Sequence, residues 1–382
     1  MPLAVLVLTL ATFILGTCEF VIMGLLPNIA HDLQTTVPEA GWVVTAYALG
    51  IALGGPVMTL LTSCLSRKGA LIALMSLFAI GNALCGLAEG YAYLLSARII
   101  TSLGQGAFFG IGAVLAASLV PEHRRATAIA TMFLGLTLAT IAGVPLGTAL
   151  GQWHGWRTPF WVITRLAVVA LIGLWAFIQK GDPEEKTNLI AEMQALKDIR
   201  IWAALGTTAL FTGCAFPLFT FIAPMLQDVT GLTADGITRS LFLVGLGMTA
   251  GSYLGGRLAD WNLSRALILI AVAITIVSAA LRWTSASLLL AEINWFLWGA
   301  ATFAAIPVSQ VNVMLFGASA PNLVSTLNIS AFNVGVALGS WVGSLVLSAG
   351  YPLTAIPVAA AIIAVAAGLS SLMCGRFRKG VV

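Results

Sequence analysis

Apolar runs long enough to cross a bilayer as helices, about 20 residues each, recur along the whole chain, and short turns between them hold most of its charge. With 59% hydrophobic and only 8% charged residues in 382, the chain cannot clothe itself for water, since soluble domains carry roughly 25% charged residues. A soluble enzyme is excluded. Lipid offers no partner to backbone N–H and C=O groups, so such runs must be helices that satisfy themselves. The sequence therefore predicts an all-α membrane protein. Twelve spans are expected near residues 3–30, 38–62, 69–88, 91–119, 125–150, 158–179, 199–227, 235–258, 264–283, 286–315, 321–348 and 352–374.

Only residues 180–198 are long and charged enough to link two domains. This predicts a bundle over 1–179, a linker over 180–198, and a second bundle with a short basic tail over 199–382. Within the linker, Asp182-Pro183 reads as a helix start, and Leu189, Met193 and Leu196 share one face, as in a helix lying on a membrane surface. Of the 18 Lys and Arg residues, Arg157, Arg239 and Arg282 fall on one side of the spans, Arg98 and Arg165 within them, and all the rest on the other. The basic side faces the cytoplasm, which puts both termini and the linker there. The first apolar run starts at Leu3 without a basic start and is too long for a cleavable signal. The net charge of +4 resides in these turns and does not point to nucleic acid. Five scattered cysteines offer neither a disulfide framework nor a metal spacing.

The two halves repeat. Cys18, Phe20 and Asp32 match Cys214, Phe216 and Asp228 at an offset of 196 residues, as do Gly55, Ala70, Leu71 and Ile72 with Gly251, Ala266, Leu267 and Ile268. Gly135 and Gly143 match Gly335 and Gly343 at an offset of 200. Two pseudo-symmetric six-helix bundles follow.

A charge at the centre of a span costs roughly 2.5–3.5 kcal/mol on insertion scales, so each needs a reason. Glu19, Arg98, Arg165 and Glu292 lie inside spans. At 1.5 Å per residue, their depths from the outer ends are ~16, ~10, ~10 and ~9 Å. Glu19 is the deepest, and either exchanges a proton or forms a permanent pair with an arginine that holds helices together. Glu292 is shallow enough to reach the interface, Arg165 suits snorkelling, and Asp32 sits at the outer end of span 1. The uncharged amides Asn82, Asn294, Gln310, Asn312 and Asn328 read as interhelical glue, with Gln105 and Asn333 as cavity contacts.

Glycine patterns carry less chemistry. Gly104-Gln-Gly106-Ala-Phe-Phe-Gly110 lies within a span with no strand before it, so it is not a nucleotide loop; Gly106 and Gly110 read as a helix contact. Gly135, Gly143, Gly147 and Gly151 line span 5, and Pro145 leaves the carbonyl near residue 141 without its usual partner. That bent, bare face is expected to close against a helix of the opposite half. His31, His123 and His154 are isolated, so no metal site is supported, and no nucleophile–base arrangement is found.

At these residues the chain resembles major facilitator transporters, in particular the drug:proton antiporter branch and its bacterial sugar-efflux (arabinose-efflux-like) subgroup. The likeness runs over nearly the whole chain. Gly16-Thr-Cys-Glu19-Phe-Val-Ile-Met-Gly24-Leu-Leu-Pro27 through Asp32 is close to that subgroup's opening signature. Ala97-Arg98 through Gly110 resembles the span-4 motif, whose arginine the family links to proton coupling. Gly135 to Gly151, with Gly143-Val-Pro145-Leu-Gly147, resembles the span-5 antiporter motif. The cytoplasmic gating motif is kept as Gly256-Arg257-Leu-Ala-Asp260, whereas in the first half Cys64 stands where the aspartate belongs, before Arg67 and Lys68.

The resemblance implies a proton-coupled exporter of small organic molecules in the bacterial inner membrane, working without a cofactor by rocking of its two halves. Its partners are then small-molecule substrate, protons and the lipid bilayer, and a monomer is expected. Glu19, Arg98, Glu292 and Asp32 become the proton-coupling candidates, Tyr47, Gln105 and Asn333 the substrate cavity, and Arg67, Lys68, Arg257 and Asp260 the cytoplasmic gate. An uncoupled facilitator and a non-transporting receptor on the same fold are the alternatives.

Overall fold

The computed structural model describes residues 2–179, 197–317 and 321–378, so the linker helix expected from Asp182 lies outside the described residues. The first part holds α1 (Leu3–Asp32), α2 (Val37–Leu61), α3 (Arg67–Gly86), α4 (Tyr91–Ser118), α5 (Arg125–Leu138), α6 (Val144–His154) and α7 (Thr158–Phe177). The second holds α8 (Ile199–Thr220), α9 (Ala234–Thr284), α10 (Leu288–Phe316), α11 (Pro321–Ser348) and α12 (Ile356–Arg378). Among the described residues, eleven helices are long and apolar enough to cross a membrane. The longest, α9, is two helices joined at Asn262, whose extended backbone (φ −165°, ψ 103°) breaks it. Asn262 Oδ1 accepts the Arg265 N–H at 2.9 Å, a side-chain cap that starts the next helix. Twelve spans result, as expected.

Prolines shape the spans where the helix ladder loses a donor. Ahead of Pro145, residues Ala139–Gly143 form a π turn joining α5 to α6, which absorbs the displaced carbonyl near residue 141. The apolar run near 199–227 predicts span 7. Instead α8 stops at Phe221 (φ −104°, ψ 21°), and a turn at Ile222–Pro224 leads into a second π segment at Met225–Val229. Gly155 turns the chain from α6 to α7 at φ +89°, a conformation open to glycine without a Cβ penalty.

The helices pack as two compact units. The first contains α1, α3 to α7 and α2 from Ala46 onward; the second contains α8 to α12 together with Val37–Thr45. Glycines set the closest helix contacts inside each. Gly247, Gly251 and Gly255, four residues apart on α9, press on the backbone of α10 at Phe296, Ala300 and Ala304. The repeat-mate of Gly251, Gly55 on α2, lies against Gly106 of α4 in the same way. Gly110 opens on no neighbour within 4 Å, so the helix contact read from Gly106 and Gly110 rests on Gly106 alone. Exposed side chains are largely apolar, as lipid contact requires. Exposed tryptophans lie near helix ends within each unit: Trp153 and Trp161 flank the α6–α7 turn with Trp175 at the far end of α7, and in the second unit Trp202 lies near the start of α8, Trp261 beside the break at Asn262 and Trp283 near the end of α9, as interfacial aromatic residues do.

Candidate functional site

The polar residues of α4 recur at helical spacing. Arg98, Thr101, Ser102 and Gln105 fall on one face, and all are buried, so this face turns into the first unit rather than to lipid. There it meets Cys18 and Glu19 of α1, Tyr47 of α2 and Asn82 of α3. Glu19 accepts a hydrogen bond on Oε2 from Gln105 Nε2 at 2.5 Å. Tyr47 donates its hydroxyl to Gln105 Oε1, which leaves the amide engaged at both ends. The Tyr47 ring lies over the Arg98 guanidinium, 3.6 Å from its central carbon. Arg98 Nη1 donates to the Cys18 carbonyl at 3.1 Å and to Cys18 Sγ at 3.3 Å. The Cys18 thiol donates in turn to Asn82 Oδ1 at 3.1 Å, and Asn82 Nδ2 is tied to the Phe78 carbonyl at 2.9 Å.

Two features of this network matter for its chemistry. Glu19 and Arg98 are joined through Gln105, Tyr47 and Cys18 rather than by a direct ion pair, which removes the fixed Glu19–Arg98 pair as a structural explanation for the two charges. Arg98 also keeps Nε and Nη2 without partners although it is fully buried. Donors left unmet in a buried site cost on the order of 1–3 kcal/mol each, more for charged groups. The arrangement leaves two N–H donors free to be accepted by a carboxylate or a water.

The other proton-coupling candidates lie elsewhere. Asp32, at the end of α1, is held by Arg157 Nη1 at 2.6 Å and Trp156 Nε1 at 2.9 Å. The same arginine donates to the Ala88 carbonyl, so these groups clasp α1 and the start of α7 to the α3–α4 turn. Glu292 pairs with Arg239 at 2.9 Å within the second unit. Arg165 is exposed on α7, in keeping with snorkelling.

Of the cavity candidates, Tyr47 and Gln105 join Glu19, while Asn333 sits in the second unit. Its Nδ2 donates to the Ile329 carbonyl at 3.0 Å and its Oδ1 has no partner. Asn328 does act as glue: it accepts from Thr208 at 2.7 Å and donates to Gln310 at 2.5 Å, linking α8, α10 and α11. Asn294 likewise bonds the Val277 carbonyl and Thr284. Asn82 is more than glue, because it anchors the thiol that holds Arg98. Cys18 was missed as a hub, since a thiol in an apolar run reads as a small hydrophobe.

The span-5 glycines require a correction. A Cβ on Gly135 would strike α1 at Thr9, Thr12 and Phe13; one on Gly143 would strike Thr17; one on Gly147 would come within 2.6 Å of Val21; and one on Gly151 would meet Leu25. The bare face is thus occupied by α1 of its own unit rather than by a helix of the opposite half. The physical reason is periodicity: residues four apart on α5 and α6 track residues four apart on α1, so two helices mesh without intervening side chains. At an offset of 200, Gly335 and Gly343 of α11 press on Thr212 and Phe221 in the same fashion.

Among the gate candidates, Lys68 donates to the Trp175 carbonyl at 2.5 Å, and Arg257 lies 3.5 Å from the Tyr253 hydroxyl. Asp260 and Cys64 are exposed.

The geometry agrees with what the chain is similar to. The pattern of the Major Facilitator Superfamily matches residues 8–339. The chain is 42% identical to the inner membrane transport protein YdhP of Escherichia coli (strain K12), over 97% of this chain and 95% of that one. It is 32% identical to a chloramphenicol resistance protein of Streptomyces lividans, over 91% and 90%. Among solved structures, a bacterial homolog of the human lysosomal transporter Spinster, inward-facing and unoccupied, superposes with a TM-score of 0.81 over 98% of this chain and 96% of that one at 18% identity. A D-xylose–proton symporter gives 0.78 over 97% and 96% at 16% identity. A twelve-span chain built from two repeated halves, matched over this length and at these identities, belongs to the Major Facilitator Superfamily of membrane transporters.

Proposed function

We propose that the protein exports small organic molecules from the bacterial cytoplasm in exchange for protons, with Glu19 as the proton carrier. The observation that carries this reading is the placement of Glu19: a carboxyl group deep in a span, bonded to an uncharged amide, with a partly unpartnered arginine one residue away through Cys18. A carboxyl in that setting can exist with or without its proton. Deprotonated, it can be met by the free Arg98 donors; protonated, it needs only Gln105. Tyr47 and Gln105 then relay the state of Glu19 to α2 and α4. The span-5 motif, Gly135 through Gly151, serves by gripping α1 on both sides of Glu19. Arg67, Lys68, Arg257 and Asp260 guard the cytoplasmic side, with both termini in the cytoplasm, and the protein works as a monomer.

Export as the direction rests on the similarity to a chloramphenicol resistance protein. Reconstitution tests the whole reading. In proteoliposomes that are acidic inside, chloramphenicol outside is expected to accumulate above equilibrium, and a protonophore to abolish the accumulation. Equilibration at one rate with and without the gradient would mark an uncoupled facilitator.

A further inference from the structure

The two halves also repeat the turn after their fifth spans. Gly155 and Gly350 both turn the chain in the left-handed region, at φ +89° and +83°. Beyond them the sequences part: Trp156-Arg157 follows in the first unit and Tyr351-Pro352 in the second. The acid at the end of the first span of each half is kept, as Asp32 and Asp228.

In the first unit these groups form a closed set. Arg157 donates to Asp32 Oδ2 at 2.6 Å while its guanidinium lies over the Trp156 ring, 4.3 Å from the centroid. Trp156 Nε1 donates to the same oxygen at 2.9 Å. One cation is thus held by a carboxylate and by an aromatic face, the two groups that recognise it best.

The second unit keeps the carboxylate and the aromatic ring, but its sequence puts proline where the arginine stood. Asp228 and Tyr351 line a cavity of about 270 Å³, and among the described residues Asp228 has neither a hydrogen-bond nor an ion-pair partner. Val37, Pro224, Leu347 and Leu353 give the cavity apolar walls, and every residue lining it belongs to the second unit. Asp228 and Tyr351 both keep exposed surface, so a molecule can enter. The volume lies just below the range of small-molecule pockets, which starts at roughly 300 Å³, and suits a body of about one ring. An anion would be repelled by Asp228, and a neutral molecule would cover the carboxylate without answering its charge. A hydrated metal ion would gain nothing from the apolar walls.

We infer that this cavity binds a small soluble organic cation, an ammonium or guanidinium group on an apolar body, with Asp228 as its counter-charge and Tyr351 as its aromatic face. The site and Glu19 belong to different units, and the binding needs neither transport nor a proton gradient. Proton coupling can therefore fail while the cavity binds, and the reverse.

The test uses the purified full chain in uncharged dodecyl maltoside micelles and three probes of similar shape: benzylguanidinium, its neutral counterpart benzylurea, and the anion phenylacetate. Affinities are read by saturation-transfer NMR titration against empty micelles. Benzylguanidinium is expected to bind at least tenfold tighter than either of the others. Asp228→Asn, a change at an exposed side chain, should weaken it at least tenfold, the worth of a charged hydrogen bond. Tyr351→Ala should weaken it about two- to fivefold, as expected for a partly exposed cation–π contact, and Tyr351→Phe should restore most of that loss. Leu353→Arg, which supplies a guanidinium from within the cavity, should exclude the probe. Melting temperatures show that each variant is folded, and Asp228→Asn decides the matter if the others are not. Added phosphatidylethanolamine should leave the affinity unchanged. Absence of saturable binding, equal affinity for benzylurea, or binding untouched in Asp228→Asn, as for a probe seated at Glu19, would overturn the inference. Displacement of the probe by phosphatidylethanolamine would assign the cavity to a lipid headgroup and overturn it as well.

Discussion

Glu19 takes its hydrogen bond from Gln105, and Arg98 reaches it only through the Tyr47 ring and the backbone and thiol of Cys18. Two opposite charges in one buried network would ordinarily close into a direct pair. Here an amide stands between them, so the carboxyl is not locked in its charged form by contact with the cation.

The first prediction concerns the arginine. Arg98→Lys preserves the charge, but an ammonium cannot lie flat on Tyr47 while donating to both Cys18 O and Sγ. Losing a charged hydrogen bond and leaving its acceptors unmet costs about 1.5–3 kcal/mol. Gradient-driven flux in Arg98→Lys proteoliposomes should fall roughly tenfold or more, with the chain still folded by melting curve. Flux equal to wild type would show that the planar guanidinium geometry has no part in coupling.

Gly147→Ala should act on stability. Its new methyl group would sit 2.6 Å from a Val21 methyl group, and overpacking a tight contact costs about 1–3 kcal/mol. Yield and melting temperature should fall, while the surviving protein transports at its normal rate. Adding Val21→Ala removes the clashing branch and should restore the melting temperature. A rescued melting temperature with transport still slow or leaky would mean that this contact moves during the cycle.

Asp32 and Glu292 serve as controls. Each already has an arginine partner, Arg157 and Arg239 respectively, and partly exposed pairs are worth about 0.2–1 kcal/mol. Asp32→Asn and Glu292→Gln should each lower stability by no more than that and leave gradient-driven flux intact. Loss of coupling in either one would move the proton site away from Glu19.

Much of this architecture was legible in the chain. Length and hydropathy marked the spans, and Asn262 lies in the short polar turn that separates residues 235–258 from 264–283. The offset of 196 paired Gly55 with Gly251, and each lies against the backbone of the helix two spans further on, at Gly106 and Ala300. The resemblance implies Tyr47, Gln105 and Asn333 as cavity residues together; the first two meet at Glu19, and Asn333 lies in the second unit. Partner choice was harder to read. The spacing of Gly143 and Gly147 says which face is bare but not which helix will cover it, and that face went to α1. Cys18 was invisible because its role depends on an arginine 80 residues away.

The central claim is that Glu19 carries the proton, and the most direct test compares two modes of transport in one variant. Exchange of labelled for unlabelled cargo at equal concentrations needs cargo binding and alternation of the two states, but no net proton movement. Glu19→Gln keeps the shape and the bond to Gln105 while fixing the side chain in an uncharged form. Proteoliposomes carrying this variant should exchange cargo at close to the wild-type rate and yet fail to accumulate it when a pH gradient is imposed. Accumulation that persists in Glu19→Gln under the gradient would contradict the account.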